Sequence, residues 1–124
     1  FTVSAMTYRV PVEDGHTESI SVELERKASA EEVVSAWQRF RGNSDVQALP
    51  SAPASPVVYL GEPHRPQSRR DVDTGGGMAT VVGGLKPCSI LDWKFTALGH
   101  NTIRGAAGAS VLNAEYFVAK GFLD

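Results

Sequence analysis

Between residues 17 and 24, apolar and polar side chains alternate one for one. Ile20, Val22 and Leu24 fall on one side, and Ser19, Ser21 and Glu23 on the other. That period of two predicts a half-buried strand. A second β-like run, rich in β-branched and aromatic residues, covers residues 1–12; Pro11 in it cannot donate to a ladder and marks an edge, a bulge or the strand end. Asp14-Gly15 supplies turn chemistry between the two. The period then changes. Ser29-Ala30-Glu31-Glu32 has the spacing of a capping box, and Val33, Trp37 and Phe40 follow at i, i+4 and i+7 up to Gly42. These signals predict an amphipathic helix of about three turns, its stripe serving the core.

Further along, residues 42–56 are rich in Pro, Ala and Ser and predict a loop, and residues 57–60 a short strand. Residues 61–77 carry three arginines and three consecutive glycines. A loop of that length is usually functional or mobile. Residues 78–82 and 92–98 predict two more strands. Residues 101–120 are small and apolar at helical spacing (Ile103, Ala107, Val111, Ala114, Val118). Gly105 and Gly108 each weaken such a helix by about 1 kcal/mol relative to alanine; close backbone approach to another surface would be the compensation. The order predicts an α+β fold, a mostly antiparallel sheet with helices on one face. Its 124 residues suit one domain, residues 1–124, able to bury a core without disulfides.

Composition narrows the classes. A net charge of −2 gives no global field toward nucleic acid or an acidic membrane. No apolar run approaches the roughly 20 residues that span a bilayer, and no secretory signal opens the chain. The single cysteine, Cys88, permits no internal disulfide and points to a reducing, cytoplasmic setting. With three scattered histidines it offers no metal-ligand spacing. The start at Phe1, without methionine, reads as a piece of a longer polypeptide, with an engineered or processed product as the alternative.

Candidate chemistry is sparse. Gly75-Gly76-Gly77 lacks any phosphate-loop pattern and reads as a flexible turn. Cys88 reads as buried or inert, since only Lys86 is near it in sequence. Arg65, Arg69 and Arg70, followed by Asp71 and Asp73, read as a solvated face or subunit contact, with phosphate binding left open. His64 and His100 flank turns and read as incidental. Arg9 and His16, seven positions apart, stand out. A guanidinium fork fixes a carboxylate bidentately, and an imidazole takes and returns protons near neutral pH. The pair suits an anionic substrate in proton-coupled chemistry. In a regular hairpin through residues 13–15, however, Val12 would oppose His16, and Arg9 and His16 would face opposite sides. Convergence requires the ladder to break near Pro11.

Three stretches, "RVPVEDGHTESISVE", "RPQSRRD" and "MATVVGGLKPCSILDWKFTALGHNTIRGAAGASVLNAE", together resemble the C-terminal part of aspartate-semialdehyde dehydrogenases, above all the archaeal and fungal branch. The resemblance covers residues 3–115. It implies the glyceraldehyde-3-phosphate-dehydrogenase-like C-terminal fold, without its Rossmann partner domain. It also implies reduction of β-aspartyl phosphate to aspartate β-semialdehyde, with NADPH as hydride donor and release of phosphate, on the route to lysine, threonine and methionine. By the same resemblance Arg9 grips the substrate carboxylate, His16 is the general acid/base, and Asn101 contacts the cofactor NADP. The sheet would form a homodimer or higher homo-oligomer, and the helix of residues 101–120 would pack on the dinucleotide-binding domain. The family's GxGxxG element and its nucleophilic cysteine motif are absent, and Cys88, lying after the histidine, does not match the latter. The resemblance therefore implies an isolated chain that is inactive. Malonyl-CoA reductase, N-acetyl-glutamyl-phosphate reductase and a non-catalytic dimerisation fragment are the alternatives.

Overall fold

A computed structural model describes residues 8–122. Four strands, β1 (His16–Val22), β2 (Val57–Leu60), β3 (Thr80–Pro87) and β4 (Trp93–Gly99), form one sheet in the order β1-β4-β3-β2. β4 runs antiparallel to both β1 and β3, while β2 lies parallel to β3. The predicted pairing of residues 1–12 with the strand after the Asp-Gly turn does not form over the described part: residues 8–12 are irregular and exposed, and residues 1–7 lie outside the described residues. β1 pairs with β4 instead, where Ile20 and Val22 meet Phe95 and Trp93.

The parallel pair explains the long stretch after β2. Parallel strands cannot be joined by a tight turn and need a crossover of about a dozen residues or more. Residues 61–79 are that crossover, and they are not loose. They contain a one-turn helix, α3 (Ser68–Asp71). Asp71, 2% exposed, accepts from Arg65 Nε at 2.8 Å and Gln67 N at 2.6 Å, and pairs with Arg65 through its other oxygen. The expectation of a solvated arginine cluster therefore fails for Arg65, whose fork is spent on a buried carboxylate. At Gly83 a Cβ would stand 2.5 Å from the Arg65 carbonyl oxygen and 2.9 Å from that of Leu60. The crossover presses on β3 here. The β3–β4 register also shifts between Gly83 and Lys86, with Gly84 at φ +63°.

The helices follow their caps. Ser29 Oγ accepts from Glu32 N and Glu32 Oε2 accepts from Ser29 N, starting α1 (Ala30–Arg39). Trp37 stacks on Tyr59 of β2 (5.8 Å between centroids) and meets Phe95 of β4 edge-on (4.9 Å). Phe40, predicted on the packed stripe, instead forms the extended C-cap and is exposed. The 42–56 loop contains a short helix, α2 (Ser44–Gln47), because the Asn43 side-chain Oδ1 accepts from Asp45 N at 2.8 Å as its N-cap. The last segment is a π-helix, Ile103–Ala107, followed by α4 (Gly108–Ala119). Gly108 lies so close to Met78 that a Cβ would reach its sulfur at 2.5 Å. The close approach foreseen for the helix glycines thus occurs within this domain at Gly108, while a Cβ at Gly105 would make only an ordinary contact. Among the described residues the buried apolar side chains are Met78, Ala79, Val81, Val82, Leu98 and Leu112, centred on β3. Val111, Phe117, Val118 and Phe122 leave an apolar strip of the last helix and its end exposed.

Hydrogen bonding from Arg65 holds the Asp71 carboxyl below the usual carboxylate range. A depressed folded-state value stabilises above the unfolded value, about pH 4, and that contribution is lost as pH falls below it. Asp71→Asn is expected to cost about 2–4 kcal/mol at pH 7, toward the lower end for a broken buried pair, because Arg65 keeps part of its side chain in water. Urea unfolding at pH 7 and pH 3 should show the gap between wild type and variant shrinking at the acid value.

Candidate functional site

The break required near Pro11 is present. Val12 N donates to Val10 O at 2.9 Å, a three-residue turn centred on Pro11, whose ring fixes the φ such a turn needs. The chain then bends inward. Gly15 is buried at φ +109°, and a Cβ there would stand 3.0 Å from Leu98 Cδ1 and 3.3 Å from Ser68. Only glycine lets the backbone sit against β4 and α3 at this point. The adjoining Thr17 hydroxyl meets that of Ser68 at 3.3 Å.

His16 begins β1 opposite Gly99, the last residue of β4. Two residues on, the Asn101 side chain returns to the same turn: its Oδ1 accepts from Gly15 N at 2.9 Å. His16 and Asn101 therefore stand together, and both line a cavity of about 250 Å³ with Glu18, Thr80, His100 and Arg104. Because Gly15 N–H must meet an oxygen, the amide orientation is fixed. The Nδ2 group has no acceptor among the described residues.

His100, read as incidental in the sequence, is built into the packing here. It is 6% exposed, and its Nδ1 faces Thr102 N at 3.3 Å and Ile103 N at 3.4 Å. Two N–H groups aimed at one ring nitrogen make Nδ1 the acceptor, so the proton sits on Nε2, 3.7 Å from Asp73 Oδ1. The backbone closes around it: Gly105 N donates to His100 O at 2.9 Å, an i→i+5 bond that makes this turn a π-helix. Gly77, at φ +77°, passes so close that a Cβ would lie 2.9 Å from the ring and from Ile103. The three glycines form a tight turn, all at positive φ, of which Gly77 is buried and packed while Gly75 and Gly76 are exposed, and they lead into β3 rather than into a helix. They do not form a phosphate cradle. The sequence signal that could have found His100 was its place between a strand end and a helix start beside a glycine run.

The other candidates lie apart. Arg9 sits in the exposed stretch before Pro11 and does not line the His16 cavity. Arg69 borders a separate groove of about 500 Å³ in the company of Glu13, Asp14 and Asp73; three carboxylates around one guanidinium disfavour an anion there. Cys88 is half-exposed rather than buried, in the turn between β3 and β4. Amide N–H groups of Leu91 and Ile90 hold its thiol below the usual cysteine range. It adjoins the Pro87–Trp93 end of the ladder, whereas His16 adjoins Gly99 at the other. Six strand steps at about 3.3 Å put these ends about 20 Å apart, beyond any proton transfer between them. No group of three or more His, Cys, Asp or Glu side chains among the described residues could hold a metal.

Residues 1–104 match the family described as semialdehyde dehydrogenase, dimerisation domain. The aspartate-semialdehyde dehydrogenase of Methanothermobacter thermautotrophicus is 48% identical over 117 residues, covering 93% of this chain and 34% of that protein. A malonyl CoA reductase (NADP) of Metallosphaera sedula is 37% identical over 125 residues, covering 99% of this chain and 35% of that protein. The crystal structure of the aspartate-semialdehyde dehydrogenase with NADP from Candida albicans superposes with a TM-score of 0.79 at 40% identity, covering 92% of this chain and 32% of that one. The chain spans about a third of the length of the curated relatives it matches.

Gly15→Ala is expected to destabilise by about 1–3 kcal/mol through overpacking against Leu98 and Ser68. It should also displace His16. Urea unfolding measures the first effect, and the His16 ring resonances in a heteronuclear NMR spectrum report the second.

Proposed function

The chain belongs to the semialdehyde dehydrogenase dimerisation-domain family, and we propose that it is the catalytic and dimerisation domain of an aspartate-semialdehyde dehydrogenase. The observation that carries this reading is the meeting of His16 and Asn101, 85 residues apart in sequence, at one cavity through the Gly15 N–H···Oδ1 bond. Residues 1–124 form that domain, and the apolar strip along residues 101–120 packs on a dinucleotide-binding domain. The sheet pairs two copies into a homodimer or higher homo-oligomer. No helix among the described residues is long and apolar enough to cross a membrane, and the biosynthetic role fits a cytoplasmic enzyme.

In this reading the substrate is β-aspartyl phosphate and the products are aspartate β-semialdehyde and phosphate. Arg9, exposed ahead of the Pro11 turn, clamps the substrate carboxylate as a fork and orients the acyl group. His16 takes the proton of the attacking thiol and returns a proton to the tetrahedral centre that follows. The NADPH cofactor supplies hydride. The residues here fit its nicotinamide end alone: the free Nδ2 of Asn101 can donate to a carboxamide oxygen, and no glycine-rich strand-turn-helix among the described residues could take the pyrophosphate. Cys88 lies about 20 Å along the sheet from His16, so the nucleophilic thiolate comes from outside this domain.

Malonyl-CoA reduction is the second reading, favoured by the Metallosphaera relative. A thiol ester substrate would use the same histidine and cofactor logic, and a substrate panel separates the two.

In the whole enzyme, His16→Asn is expected to lower kcat by ~10²–10⁴ with little change in KM. Arg9→Lys keeps charge but loses the fork, and should raise KM for the acyl substrate roughly tenfold, about one charge-assisted hydrogen bond. Steady-state assays of NADPH oxidation and of the reverse, phosphate-dependent reaction measure both. The 124-residue chain alone should show no turnover in either direction; NADPH-dependent turnover by it would refute the assignment of an external nucleophile.

A further inference from the structure

We propose that Asn101 is a positioning residue for His16, so that one amide both sets the base and meets the ligand. This rests on the reading of His16 as the proton-transfer group. Gly15 is buried, yet it precedes β1 and has no place in the β1–β4 ladder, whose register begins at His16 and Gly99. A buried backbone N–H needs an acceptor, and Asn101 Oδ1 at 2.9 Å is the one that Gly15 has. On the N-terminal side of the turn the chain is irregular and exposed as far as Tyr8. The Asn101 oxygen therefore adds, to the His16–Gly99 pairing and the packing of Gly15 on Leu98, a hydrogen bond that holds the turn before β1 to the end of β4.

Asn101 can serve as a fixed post because its predecessor is immobilised. His100 is buried, its Nδ1 takes the Thr102 and Ile103 amides, its carbonyl takes Gly105 N, and Gly77 packs on its ring. Oδ1 is thus committed to the turn, while Nδ2 has no acceptor among the described residues. Loss of the side chain removes an acceptor from a buried donor and frees His16 along the coordinate that matters for proton transfer.

The test joins amide hydrogen exchange on the 124-residue chain with steady-state kinetics on the whole enzyme. In Asn101→Ala the Gly15 amide should exchange at least tenfold faster and the His16 ring resonances should move, while Val81 and Leu98 in the β3–β4 ladder keep their protection. Asn101→Asp retains an oxygen acceptor and should restore Gly15 protection; Asn101→Gln, with its amide one methylene further out, should not. In the enzyme, Asn101→Ala should lower kcat at least tenfold besides raising KM for the dinucleotide. Unchanged Gly15 exchange in Asn101→Ala, or a rise in KM with kcat preserved, would overturn the proposal in favour of a ligand contact alone. Should Asn101→Ala lose protection throughout the ladder, the Asp and Gln variants decide: equal Gly15 exchange in the two overturns it. Absence of dehydrogenase turnover in the wild-type enzyme would strike the functional reading and leave the exchange result standing.

Discussion

The parallel pairing of β2 with β3 is the constraint on which the rest of the domain depends. Antiparallel neighbours can be joined by two residues, but this pair needs a chain that leaves the sheet at one end and returns to it at the other. Residues 61–79 do so, and they are held by a buried carboxylate: Asp71 gathers Arg65 and the Gln67 amide. Once that clip is closed, both ends of the crossover are placed. Ser68 lies against Gly15 on one side, and Gly77 lies against His100 on the other. The two surfaces that fix His16 and Asn101 are thus parts of one connection, imposed by topology rather than by any demand of the site.

β4 supplies the second half of the arrangement. Because β1 is antiparallel to it, the start of β1 and the end of β4 coincide, and His16 falls beside the residues that open the last helix. The same geometry puts the β3–β4 turn, with Cys88, at the opposite end. A thiolate and an imidazole on these two turns could never act together. The amides around Cys88 hold its thiol below the usual cysteine range, but no general base among the described residues stands beside it.

Local signals were legible in the sequence where a few adjacent residues determine the outcome. The capping box at Ser29, the alternation through Ile20 and Val22, and the apolar run 57–60 all describe interactions within one element. What was not legible depended on distant pairing. Nothing near residues 1–12 shows that β1 will take β4 as its neighbour, so a hairpin was the natural expectation. Nothing near Arg65 shows that Asp71 will be buried, so the arginines read as solvated. His100 failed for the same reason: its two N–H partners are local, but the glycine turn that walls it in lies more than twenty residues earlier. The candidate site is half legible. Arg9 and His16 stand out by their chemistry and Asn101 through family resemblance, yet the bond that joins Asn101 to the His16 turn spans 86 residues from Gly15 and is invisible to any spacing rule.

The distribution of chemistry over the domain has a physical consequence. An imidazole at a strand end is positioned to within hydrogen-bond tolerance only if the backbone beneath it is fixed, and an edge strand is the least fixed element of a sheet. β1 is such an edge, with solvent-exposed Thr17, Ser19 and Ser21. Burying Gly15 under Leu98 and Ser68, and tying its N–H to the side chain that follows the buried His100, transfers rigidity from the interior to the rim. The exposed apolar strip of Val111, Phe117 and Val118 works in the opposite sense. It leaves the helix that begins just after Asn101 dependent on a covering surface. On the proposed reading that surface is the dinucleotide-binding domain. The post that holds the base would then be steadied from within by His100 and from outside by the domain that delivers the cofactor, so that proton transfer and hydride transfer are aligned by the same short stretch of chain.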